Sequence, residues 1–374
     1  MPNYSNSLSE IISFVEETVK SETLNNNLYE EDYEADTVWN RNSSNIASNL
    51  YNPINYLLLN KGKHVRGILA VLSYNMVLGW QRPLYDLSHS GSRDYRVFPI
   101  ESLVLAIEGL HNFTLMHDDV MDNAILRRGK TTINKKWSNN QAILSGDVLM
   151  IHAYRHLVNI PNSPIKSFTR TAIQICEGQQ LDFDMQQKKS ITLSEYFEMV
   201  RLKTGALIKF SVVQGFEMAH YLPAHIQPGD GSYDRPSYHS KDIMDIGELL
   251  GTLFQIQDDY LDIYGEQVKT GKLIGGDILE KKKTFLYAVA LNKSNSTQKK
   301  KLEQIYHSDN KHKVDIIYSI YNDLGVKEYV QEKIKNLGDD VLNLISTINE
   351  DAGSIKLEKE LFIEFIKIIL SRKF

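Results

Sequence analysis

The chain has 374 residues, 42% hydrophobic and 24% charged, a balance typical of globular proteins with enough apolar material for a large core. A net charge of -5 argues against nucleic acid as the main partner, because binding a phosphate backbone needs a strongly basic face. Cys176 is the only cysteine, which excludes a disulfide framework and a thiolate metal site and fits a reducing compartment.

The amino terminus, MPNYSNSLSEIISFVEETVK, is acidic and amphipathic and lacks the basic and apolar regions of a signal peptide. Residues 1–46 are predicted to form a first amphipathic helix and an Asn- and Glu-rich link, with the main helical domain over 47–374. Beyond the link, apolar residues recur at three- and four-residue spacing in ESLVLAIEGLHNFTLMH, SEYFEMVRLKTGALIKFSVVQGFEMA and KDIMDIGELLGTLFQIQDDYLDIY, and strand-like alternation is scarce. The predicted fold is all-α. Residues 81–99 and 221–240 are rich in Pro, Gly, Ser and Asp and read as surface loops. No run reaches the roughly 18 apolar residues of a membrane span, so the expected location is cytoplasmic.

Asp118 and Asp122 in HDDVMD are four residues apart, on one face of a helix, with Asp119 flanking them. Like charges at that spacing repel, and the arrangement becomes favourable when a hard divalent cation such as Mg²⁺ lies between them. One such cluster alone would read as a solvated helix end. FQIQDDYLD repeats it, with Asp258, Asp259 and Asp262 again ending an apolar helix. If the two helices pack side by side, six carboxylates face a cavity able to hold several Mg²⁺ ions and a diphosphate.

Basic residues follow each cluster. Arg127 and Arg128 lie in RRGKTT, and arginine suits bidentate phosphate contacts. Lys272 and Lys282 lie in and beyond the glycine-rich GEQVKTGKLIGGDILEKKKT. Lys203 with Thr204 in RLKTG, and Lys63 with Arg66 in NKGKHVRG, complete the set. Singly these are solvated charges; gathered beside paired DDxxD motifs they point to diphosphate binding.

HDDVMDNAILRRG, FQIQDDYLDIYG with GKLIGGDILEKKKT, NPINYLLLNKGKHVRG and LKTG together resemble the motifs of the trans-isoprenyl diphosphate synthases, the polyprenyl synthetase family. The resemblance implies an isoprenoid-synthase-type bundle of antiparallel helices around a central apolar cavity, assembled as a homodimer. It also implies a head-to-tail condensation of isopentenyl diphosphate with an allylic diphosphate (dimethylallyl, geranyl or farnesyl), with three Mg²⁺ ions when substrate is bound. By that likeness Asp118, Asp122 and Asp258 ligate metal, supported by Asp119, Asp259 and Asp262. Arg127, Lys203, Thr204, Gln255, Lys272 and Lys282 surround the allylic diphosphate, and Lys63, Arg66, His111 and Arg128 hold isopentenyl diphosphate. A core histidine satisfied by a neighbour is the alternative for His111.

The reaction so implied needs no tuned general base, because the departing diphosphate can take the proton. Phe113 and Thr114, five and four residues before Asp118, are expected to limit chain length, with a C15 product favoured over C20. The chain departs from the family's usual GGKRxRP at two positions: His64 stands for an arginine and Gly67 for a proline. Two competing readings are a terpene cyclase-like enzyme of the same fold and a non-catalytic subunit of a partner synthase. Intact Lys63, Arg66 and Arg128 speak against the first, and two complete aspartate clusters against the second.

Overall fold

A computed structural model describes residues 6–24, 43–60, 62–78, 98–158, 160, 162–220, 240–265, 274–348 and 359–371. Lys272 and the predicted loops 81–99 and 221–240, apart from their terminal positions 98, 99 and 240, lie outside the described residues. The chain divides into two compact units, Met1–Ile165 with Gln214–Ser232, and Lys166–Val213 with Tyr233–Phe374.

In the first unit the periodic segments form α1 (Asn6–Leu24), α2 (Ser43–Leu58), α3 (Val65–Leu78), α4 (Phe98–Met121), the single-turn α5 (Ile133–Lys136) and α6 (Asn139–Val158). The amphipathic stripe of α1, Leu8, Ile11, Phe14, Val15 and Val19, is wholly buried, as a three-four spacing requires. Helix α3 is apolar nearly all round and is buried from Ile68 to Val77. Helices α4 and α6 approach closely because small residues face the contact: a side chain on Gly109 would come within 3.1 Å of Ala153, and one on Gly146 within 2.7 Å of the His117 ring.

The RRGK segment, read as a loop, is a two-stranded hairpin in which Leu126 pairs with Thr131 and Arg127 with Lys130. Its two turn residues, Arg128 (φ +52°) and Gly129 (φ +74°), are both left-handed, as a two-residue turn between right-twisted strands favours.

In the second unit α7 (Ile165–Gln187) and α8 (Leu193–Val200) lead into one widened π-helical turn, Arg201–Gly205. Helix α9 (Ala206–His220) follows and is divided between the units, with the second keeping it to Val213 and the first taking it from Gln214. The second unit continues with α10 (Ser240–Tyr264), the single-turn α11 (Gly276–Leu279), α12 (Phe285–Lys293), α13 (Ser296–His307), α14 (Lys313–Asp323), α15 (Val326–Thr347) and α16 (Glu360–Leu370). Helix α10 buries Ile243, Ile246, Leu250, Leu253 and Ile256, and α12 is buried from Phe285 to Leu291. Among the described residues no helix is long and apolar enough to cross a membrane.

Candidate active site

The first aspartate cluster closes α4. The Asp122 amide still donates to Asp118 O at 2.8 Å, and the chain then turns at Asn123, whose left-handed φ of +52° ends the helix. Asp118 and Asp122 remain partly accessible, whereas Asp119 is buried. The hairpin brings Arg127 back to Asp119, with Nε and Nη2 reaching its Oδ1 at 2.8 and 2.7 Å. Asn134 Nδ2 ties down the Asp119 carbonyl at 3.0 Å. Burial opposes the Arg127 charge, but the bonds to Asp119 and the nearby charges of Asp118 and Asp122 outweigh it and hold its pKa above the ordinary value.

The early basic motif lies in the same unit. Arg66 Nη1 donates to His111 Nε2 at 3.0 Å, so His111 accepts through that nitrogen. Burial, and then the charges of Arg66, Arg128 and Arg127, push its pKa well down, so it stands as a neutral group that orients an arginine. Burial also lowers the Arg128 pKa, opposed by Glu108 and helped by Arg127. Phe113 packs its ring on His117, centroids 4.5 Å apart, and the Thr114 hydroxyl donates to the His111 carbonyl at 2.7 Å.

The second cluster closes α10. Asp258 is exposed, while Asp259 and Asp262 are buried. Asp259 accepts from the Phe285 amide at 2.7 Å, the Tyr196 hydroxyl at 2.8 Å and Gln255 Nε2 at 2.8 Å. Burial and the neighbouring Asp277 charge push its carboxyl up to about 7, against the pull of those three donors. Asp262 accepts from the Asp277 amide at 3.1 Å at the start of α11.

The π-helical turn serves this cluster. Widened turns of this kind interrupt α-helices frequently at functional sites. Here the turn is crowded by glycines on α7 and α10: a side chain on Gly178 would meet Lys203 N at 2.3 Å, and one on Gly251 would meet Gly205 Cα at 2.4 Å. From it Lys203 Nζ reaches the buried Asp182 at 2.6 Å, and the Thr204 hydroxyl donates to Gln255 Oε1 at 2.6 Å. Thr204, Gln255 and Asp259 thus form one hydrogen-bonded chain. Lys282 Nζ lies 2.8 Å from Glu280 Oε2.

The structure therefore gathers Lys63, Arg66, His111, Asp118, Asp119, Asp122, Arg127 and Arg128 in the first unit, and Lys203, Thr204, Gln255, Asp258, Asp259, Asp262 and Lys282 in the second. Glu108, Asp182, Tyr196 and Asp277 were not identified from the sequence. Asp277 directly follows two glycines in GGDILE and Asp182 lies four residues after Gly178 in EGQQLD, the one local signal available, and Tyr196 carries none. Among the described residues no group of three or more His, Cys, Asp or Glu side chains is close enough to hold a metal ion. The chemistry of the accessible donors, all carboxylate oxygens, nevertheless suits a hard cation that completes its shell with water and phosphate oxygens.

A chain whose described residues are helical apart from one short hairpin, with two such clusters, belongs in class with the prenyl-diphosphate enzymes. The polyprenyl synthetase family matches residues 47–324. The short chain isoprenyl diphosphate synthase of Methanocaldococcus jannaschii is 34% identical over 266 residues, 70% of this chain and 72% of that one. The geranylgeranyl diphosphate synthase of Methanosarcina mazei is 32% identical over 250 residues, 65% and 68% of the two chains. The crystal structure of geranylgeranyl pyrophosphate synthetase from Pyrococcus horikoshii aligns with a TM-score of 0.74 at 25% identity, over 97% of this chain and 99% of that one. The chain belongs to the polyprenyl synthetase family, is a prenyltransferase, and has the all-α isoprenoid synthase fold.

Proposed function

We propose that this protein joins isopentenyl diphosphate head-to-tail to an allylic diphosphate in a Mg²⁺-dependent reaction, and that residues 47–374 act as one catalytic domain. One observation carries the reading: in each cluster the middle aspartate is buried and bonded by the protein, while the aspartate before it, Asp118 or Asp258, stays accessible. Asp118, Asp122 and Asp258 would hold magnesium, which when bound supplies the charge neutralisation that a departing diphosphate needs. The inner aspartates keep the outer ones in place.

Lys203, Lys282 and Arg127 bind the allylic diphosphate, each already oriented by a carboxylate. Thr204 and Gln255 link that group of residues to Asp259. Lys63, Arg66 and Arg128 bind isopentenyl diphosphate, with His111 orienting Arg66. The C1–O bond of the allylic substrate breaks and its electron pair leaves with the diphosphate. The double bond of isopentenyl diphosphate then attacks C1, and a proton from its C2 passes to the departed diphosphate.

The names of the relatives favour C20 as the product, in place of the C15 expected from Phe113 alone, and give no support to a cyclase or a non-catalytic subunit. A homodimer fits the exposed apolar stripe Leu144, Ile151 and Val158, which repeats every seven residues on α6; Ile151→Glu should yield a monomer by light scattering. A cytoplasmic location is part of the same proposal.

The test is to supply the purified protein with isopentenyl diphosphate, Mg²⁺ and each of the C5, C10 and C15 allylic diphosphates and to identify products by mass spectrometry. A C20 product is expected. No elongation from any primer overturns the reading.

A further inference from the structure

The two departures from the family's early motif meet on one side chain. Glu108 of α4 is 3% exposed, and each of its oxygens is used. Oε2 lies 2.9 Å from His64 Nδ1, and Oε1 accepts the Gly67 amide at 3.1 Å. Gly67 is the third residue of α3, whose first amides have no partner within the helix. Glu108 takes one of them, as a capping side chain would, and a carboxylate at a helix start is favoured by the helix dipole as well. A proline at position 67 has no N–H to give. The absence of proline at this position is therefore what lets the contact form.

His64 opens α3, its carbonyl accepting the Ile68 amide at 2.9 Å, in a left-handed conformation (φ +42°) that non-glycine residues seldom adopt. Gly62 lies against the other side of its ring: a side chain there would come within 3.1 Å of the imidazole and 2.9 Å of Arg128 Nη1. Burial would raise the Glu108 pKa, but the His64 and Gly67 bonds and the Arg66 charge bring it below the ordinary value. Glu108 is thus ionised, and His64 Nδ1 is the donor.

We propose that Glu108 is a positioning residue for isopentenyl diphosphate: through His64 and the Gly67 amide it fixes the turn that presents Lys63 and Arg66. The inference rests on the function proposed above. It makes a prediction whose sign separates it from simple electrostatics. Removing a negative charge from a diphosphate site should tighten binding if charge alone mattered, and weaken it if Glu108 holds the turn.

Isothermal titration of the full-length protein with isopentenyl diphosphate tests this. Glu108→Gln and Gly67→Pro should each raise Kd, and the KM for isopentenyl diphosphate, by about tenfold, equivalent to about 1.4 kcal/mol. The KM for the allylic substrate should stay within about twofold. His64→Ala, which cuts one arm and leaves the Gly67 bond, should show the same selective loss and serves if Glu108→Gln does not fold. Unchanged or tighter isopentenyl diphosphate binding in a folded variant overturns the proposal while wild-type turnover stands. A wild-type protein that forms no prenyl product fails the underlying reading and this proposal with it.

Discussion

The two aspartate clusters carry the same five-residue pattern and are wired differently. In the first, buried charges meet opposite or basic partners: Asp119 holds Arg127, and Glu108 holds His64. Around the second, the buried Asp259 is bonded by neutral donors, a tyrosine hydroxyl, a glutamine amide and a backbone amide. The buried Lys283 nearby lies over the rings of Tyr287 and Tyr306 and donates to the Lys281 carbonyl. The pKa values follow the wiring. Glu108 and Arg127 are displaced toward their charged forms, whereas Asp259 is raised to about 7 and Lys283 lowered to about 8, burial being the largest cause of each. Burial alone does not decide the charge state of a group; the partner does.

The largest effects should fall on the outer aspartates, where the two clusters are proposed to act alike. Asp118→Ala and Asp258→Ala should each lower kcat by roughly a thousandfold, in the range of losing one electrostatic contact to a transition state. Circular dichroism should show an unchanged fold, because neither side chain is buried. A variant that keeps activity within tenfold would mean that its cluster does not serve the reaction.

The inner aspartates should separate the clusters. Asp119→Asn removes the counter-charge bonded to Arg127 and should cost about 3 kcal/mol in urea unfolding, the low end for a broken buried pair, since Arg127 keeps a quarter of its side chain accessible and the charges of Asp118 and Asp122 nearby. Asp259→Asn should cost less, about 1–2 kcal/mol, because the donors it loses are neutral. Equal losses would remove the distinction drawn between the two sites.

Product length comes next. Phe113→Ala should shift products to longer chains by mass spectrometry, and an unchanged profile would remove Phe113 as the limit of growth. The smallest effect concerns Lys283. Its folded pKa is lowered from 10.5 to about 8, so between those values the unfolded chain binds more protons than the folded one, and stability rises with pH. Relative to Lys283→Met, the wild type should gain stability between pH 8 and 10.5 and show no such gain below pH 7.

The two DDxxD spacings are the most legible feature of the sequence. Asp118 with Asp122 and Asp258 with Asp262 are visible because a helix turns spacing into a shared face, and the buried stripes of α1 and α10 follow from the same periodicity. The supporting groups were not visible. Glu108 is one charge in an otherwise apolar stretch, and its partners lie 44 and 41 positions away. Tyr196 reaches Asp259 across 63. Pairings at such distances are made by packing, and no local pattern announces them. The hairpin at 126–131 was missed because its strands are two residues long, too short for alternation to register, although the left-handed Arg128–Gly129 turn fits its glycine.

Whether one reaction joins two diphosphate substrates is read from the initial rate of diphosphate release with both substrates and with each alone. Rapid release is expected only when both are present, one diphosphate for each isopentenyl unit incorporated. Release from the allylic diphosphate at the same rate without isopentenyl diphosphate would contradict it.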